Sequence, residues 1–203
     1  MNKCAGKLFT LAVLACGTMA AQAIVDSSTR TSSIAVSARA LRYKPARMAL
    51  KEFNQGLRSL RKGLPQEAAA HFNEAVRISP DFVEALQQLG IAQAAQGETE
   101  NSLDSFLKAS KLEPDSDALR FNVGLTLARL HRMEEAESYA RQVVRHAPWF
   151  VDGHYLLGIA LIAQSKLTAE ASASLRRAAA TYTEARAALE WMEAQQLERI
   201  AKN

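Results

Sequence analysis

A spacing of thirty-four residues runs through most of the chain and constrains its fold more than any other feature. Gly56, Gly90, Gly124 and Gly158 keep it, and Pro80, Pro114 and Pro148 keep it too, each twenty-four positions after a glycine. Ala68 and Ala136 follow their glycines by twelve positions, Phe72 and Phe106 by sixteen, and Ala75 and Ala109 by nineteen. Registers held in phase over four copies mark a repeat architecture, in which each unit buries its apolar face against the next. In the second copy Val83, Leu86 and Leu89 lead to Gly90, and a turn follows at Gln96-Gly97-Glu98. Leu103, Phe106, Leu107, Ala109 and Leu112 then lead to a stop before Pro114. Each copy therefore reads as two helices of roughly four turns. A glycine inside a helix costs about 1 kcal/mol relative to alanine. Four of them at one interval imply a close contact between paired helices, and the alanines are small for the same reason.

These residues resemble the tetratricopeptide repeat family, whose unit carries a Leu-Gly pair, a small residue, an aromatic, a second small residue and a closing proline. The second copy matches best, with Leu89-Gly90, Ser102, Phe106, Ala109 and Pro114. The first gives Gly56, Ala68, Phe72, Ala75 and Pro80, and the third Val123-Gly124, Ala136, Ala140, Val143 and Pro148. In the fourth, Leu157-Gly158 is followed by Ala171, Leu175 and Ala178 one residue late, which places a one-residue insertion near Ser165 to Thr168. The resemblance implies an all-α, right-handed superhelical solenoid of four helix-turn-helix repeats, at 49–82, 83–116, 117–150 and 151–183. A capping helix is expected over 184–203, covering the last repeat with one face.

Residues 1–23 read as an export signal of bacterial type: Lys3 and Lys7 precede an apolar run from Leu8 to Ala15, and Ala21-Gln22-Ala23 supplies a cleavage site. Both cysteines, Cys4 and Cys16, lie inside it, so thiol chemistry is not expected of the processed chain. Val13-Leu14-Ala15-Cys16 also resembles a lipobox, which leaves acylation of Cys16 as the minority alternative to simple cleavage after Ala23. The expected location is the periplasm or the exterior, with no transmembrane helix in the mature chain, since no later run is long and apolar enough. Residues 24–48, rich in Ser, Thr and Arg, read as a flexible tether.

With 203 residues, 48% hydrophobic and 23% charged, the chain has material for a core and is neither disordered nor collagen-like. A pI near 9.2 invites a nucleic-acid partner. The charge is unevenly placed, however: residues 24–66 carry +7 and residues 67–203 carry −5. Cations gathered beside a tether, without a stripe of stacking aromatics, do not make a nucleic-acid surface. A peripheral contact with an anionic envelope surface through 24–48 suits them better.

No catalytic constellation stands out, and neither a metal nor a cofactor is expected. His71, His131, His146 and His154 form no ligand pair at metal spacing, and His154 reads as a packed, hydrogen-bonded residue. No Gly-x-Ser-x-Gly or Gly-x-Gly-x-x-Gly occurs. Glu98, Glu100, Glu134 and Glu135 precede or open second helices, where they favour the positive dipole end.

A non-enzymatic interaction scaffold or adaptor of the bacterial envelope is therefore expected, holding a peptide or helix of a protein partner in its concave groove. An anchored assembly factor, whose basic tether binds anionic lipid or cell-wall polymer, is the alternative. The resemblance places groove positions three residues before and one after each repeat glycine: Phe53 and Leu57, Gln87 and Ile91, Phe121 and Leu125, Tyr155 and Ile159. The positions where some family members clamp a carboxylate hold Phe53, Leu57, Gln88, Ala118 and Asn122, with no cation, so apolar anchors are expected instead. Trp149-Phe150 either forms a second exposed patch or staples neighbouring repeats, and the staple is the expectation.

Overall fold

The computed structural model describes residues 43–201, and all regular structure among them is helical. Among the described residues nine helices follow one another: α1 (Arg47–Arg61), α2 (Pro65–Ile78), α3 (Val83–Ala95), α4 (Thr99–Leu112), α5 (Asp117–Arg129), α6 (Met133–His146), α7 (Val151–Ala163), α8 (Ala169–Ala178) and α9 (Thr183–Ala201). The fold is an all-α helical-repeat solenoid. The export signal, the Ala23 cleavage site, Cys16 and most of the basic segment lie outside the described residues. None of the described helices is long and apolar enough to cross a membrane.

The chain divides into two compact units, one ending at Thr126 and the other beginning at Leu127. In the first, helices pair across the repeat glycines. A Cβ at Gly56 would lie 2.6 Å from the Phe72 ring, and one at Gly90 2.8 Å from Phe106, so α1–α2 and α3–α4 approach only because these residues lack a side chain. Ser102 Oγ also donates to the Gly90 carbonyl at 2.8 Å. Three apolar clusters join successive helices, the last bringing Val83 and Leu86 of α3 against Ala109 and Leu119. The chain enters this core before α1, inside the segment read as tether: Tyr43 packs beside Ala49, Ala75 and Phe82, and the Ala46 N–H donates to Ser79 Oγ at 3.1 Å.

In the second unit a Cβ at Gly158 would meet Leu175 at 2.6 Å, and one at Gly153 would meet Val143 at 2.6 Å. Leu175 is the partner one residue later than the period gives, as the insertion requires. The extra chain falls after Ser165, and Thr168 Oγ1 accepts from the Ala171 N–H at 3.3 Å to open α8. The final helix buries Ala185, Ala188 and Met192.

The turns inside the repeats share one design. Gly63, Gly97, His131 and Ser165, which keep the same spacing as the repeat glycines, all adopt positive φ. The next N–H reaches back five residues each time: Leu64 to Ser59, Glu98 to Gln93, Arg132 to Leu127 and Lys166 to Leu161, at 2.9–3.0 Å. This is a Schellman-type stop repeated at the period.

Candidate functional site

Within the first unit, the residues expected to line a groove differ in how much surface they offer. Phe53 is half-buried, its ring 5.7 Å from Phe72 and 4.9 Å from Phe82, so it serves mainly as packing between α1, α2 and the start of α3. Leu57 leans on the cluster of Ala68, Phe72 and Leu89. Gln87 and Leu125 are half-buried. Ile91 and Phe121 are only 4% and 8% exposed, which removes both from an open lining. Position on a helix predicts the face, not whether a neighbouring side chain covers it. Of the clamp positions, Gln88 and Ala118 are half-buried and Asn122 is buried.

Within the second unit, Tyr155 stacks on Tyr182 at 4.5 Å with 16° between the rings, and Ile159 is half-buried. The Tyr182 hydroxyl donates to Asp152 Oδ1 at 2.7 Å; burial first, then this bond and the carboxylate charge, push its pKa up.

Arg120 and His154 occupy the same repeat position, one period apart, and do the same work. Arg120 is buried, donates to Asp117 Oδ1 at 2.6 Å and also donates to the Pro114 carbonyl. His154, 5% exposed, has Nε2 2.9 Å from the Pro148 carbonyl, to which Arg177 donates at 3.1 Å. Both side chains hold the backbone that follows a second helix. The expected staple at Trp149 is corrected: the indole is 79% exposed, and Phe150 alone is half-buried. The signal was in the period, because Trp149 aligns with Asp81 and Asp115, two exposed positions after a closing proline.

The second unit also contains an ionic network that the sequence reading missed. Glu137 on α6, buried, pairs with Arg141 and with Lys166 Nζ at 2.8 Å, and accepts from Gln164 Nε2 at 2.6 Å. Arg141 also reaches Glu170 on α8 at 2.7 Å. Burial works to raise the Glu137 pKa, but the bonds from Lys166 and Gln164 and the charges of Arg141 and Lys166 outweigh it and hold the carboxyl below its usual range. His71 pairs with Glu52 at 2.9 Å. Among the described residues no cluster of three or more His, Cys, Asp or Glu is placed to hold a metal ion.

A tetratricopeptide repeat family model matches residues 87–148 and 124–186. Residues 87–186 carry tetratricopeptide repeats. MamA residues 41 to the end from Desulfovibrio magneticus RS-1 is 26% identical, with a TM-score of 0.70 over 75% of this chain and 88% of that one. YrrB, described as a tetratricopeptide protein with an unusual peptide-binding site, shares the fold at 17% identity and a TM-score of 0.64, over 74% of this chain and 79% of that one. Mouse Superkiller complex protein 3 is 31% identical over 116 residues, 53% of this chain, which spans only 7% of that relative's length. The fold supports a protein-interaction scaffold.

Proposed function

We propose that the chain is an adaptor of the bacterial envelope that holds an apolar or amphipathic segment of a partner protein against the first helices of its repeats. The observation that carries this is the position one residue after each repeat glycine, which is apolar in all four copies and half-exposed at Leu57, Leu125 and Ile159. The residues flanking this row offer no cation at the clamp positions, so the segment is selected by shape and apolar contact rather than by its carboxylates. The peptide-binding site that gives YrrB its description is a precedent for such use of the fold. The envelope setting rests on the N-terminal export pattern and the basic segment after it.

Photo-crosslinkers at 125 and 159 identify the partner. Leu125→Lys with Ile159→Lys then weakens its binding by at least about tenfold with unchanged helicity, because each buried apolar anchor contributes ~1.5–3 kcal/mol. Undiminished capture by the double variant ends this reading.

A further inference from the structure

The two ends of the repeat array are finished differently among the described residues. After the last repeat, α9 packs on α8 and α7 and buries Ala185, Ala188 and Met192. Before the first, the described chain starts at Tyr43, and α1 leaves Leu50 39% exposed. By the repeat period Leu50 aligns with Glu84, Ala118 and Asp152, so the repeat itself calls for no large apolar side chain there. End repeats of a solenoid are the ones that need a cover of their own.

Beside Leu50 lies a cavity of about 290 Å³, lined also by Tyr43, Pro45, Phe53, Phe82 and Val83. The remaining lining residues are acids, of which Asp81 and Glu113 are already engaged, so apolar contact rather than charge selects what enters. A whole helix, about 10–12 Å across, does not fit inside this volume, whereas a few aliphatic side chains do.

The apolar group nearest to hand belongs to the chain itself. Tyr43 and Pro45 form part of the cavity wall, so the backbone ties residue 41 to within about 7 Å of Tyr43. The sequence there carries Ile34, Ala38 and Leu41, apolar at the spacing of one helical face. The approach to α1 already belongs to the core, since Tyr43 packs beside Phe82 and Ser79 Oγ accepts from the Ala46 N–H. Any other occupant must come from solution, while a tethered one is present at an effective concentration on the order of millimolar.

We propose that residues 34–41, which lie outside the described residues, fold back over the start of α1 and insert Leu41, with Ile34 behind it, into the cavity against Leu50 and Phe53. The segment is then a cap for the first repeat, and only the chain before it is left as a tether. The contact uses neither Leu125 nor Ile159, and stands or falls apart from the partner groove.

A photo-crosslinker at position 50 of the full chain tests it, and should capture residues 31–42 of the same chain at the mass of one chain. In hydrogen exchange, the amides of 34–41 should be at least about tenfold slower in the wild type than in Leu41→Asp or Leu50→Arg, while those of α3 and α4 keep their rates. Leu41→Asp leaves every residue of the cavity wall in place, so it separates loss of the contact from damage to α1. A crosslink that joins two chains gives the cavity to a second copy, and one to phospholipid of added anionic vesicles gives it to a membrane surface; either overturns the proposal. So do the absence of a crosslink to 31–42, fast exchange at 34–41 in the wild type, and protection that survives both substitutions.

Discussion

In residues 43–126 the repeat glycines Gly56 and Gly90 face aromatic rings, Phe72 and Phe106, and Phe53 adds a third ring between Phe72 and Phe82. In residues 127–201 Gly158 faces Leu175 and Gly153 faces Val143, so the paired helices share less aromatic surface. What the second unit has instead is charge that bridges elements: Glu137, Arg141 and Glu170 tie α6 to α8, and Lys166 joins them from the intervening loop. In the first unit Arg77–Glu74 and Arg120–Asp117 join residues three apart on one helix, and His71–Glu52 links α2 to α1 as a single pair rather than as a network. One backbone repeat thus tolerates two chemistries at its seams. Apolar burial is insensitive to pH and strengthened by salting-out ions, whereas a bridging network depends on the ionisation of its carboxylates.

The largest break in this comparison comes from removing an aromatic seam. Phe106 is nearly fully buried against Gly90, so Phe106→Ala leaves a cavity and should cost about 3–5 kcal/mol. Urea denaturation should show the same loss at pH 5 and pH 7, because no ionisable group of the ionic network touches that seam. The ionic seam should behave otherwise. Glu137→Gln leaves Lys166 and Arg141 without a buried carboxylate and should cost about 1–3 kcal/mol at neutral pH. Since the folded-state pKa of Glu137 lies below its ordinary value, its contribution is complete above the unfolded carboxylate range. That contribution fades as pH falls through the folded value, so wild type and Glu137→Gln should converge in stability on acidification. A difference that stays constant between pH 7 and pH 3 would show that the carboxylate acts through shape alone.

The aromatic seam was legible in the sequence because its parts, a glycine and an aromatic, are rare and kept a fixed distance. The displaced contact of Leu175 was legible for the same reason. The ionic seam was not, because Glu137, Lys166 and Glu170 occur once each and look like ordinary surface charge until the helices place them together. The groove positions were legible as a face but not as a surface: Ile91 and Phe121 lie where the repeat puts them and are nevertheless covered. Trp149 was misjudged by residue type, when its period-mates Asp81 and Asp115 already marked an exposed turn. Gln96 and Gln164, two periods apart, also went unnoticed, although each reaches back to the first residue of a second helix, Pro65 and Met133.

The turns carry the smallest and sharpest contrast between the units. Gly63 and Gly97 take the left-handed conformation at no steric cost, with open space where a Cβ would stand. In the second unit the same stop is made by His131 at φ 59° and Ser165 at φ 60°. Residues other than glycine are strained there, by about 1–2 kcal/mol before the entropy of the unfolded glycine is counted. His131→Gly and Ser165→Gly should therefore each raise stability by a few tenths to about 1 kcal/mol, and Gly97→Ala should lower it by about 1 kcal/mol or slightly more. Neither histidine nor serine has a cap bond from its side chain that would be lost, since the bonds of these turns run through the backbone. Paired thermal melts of the three variants decide whether the turn is limited by backbone strain: a His131→Gly variant less stable than wild type would mean that the imidazole contributes a contact outweighing the strain it imposes.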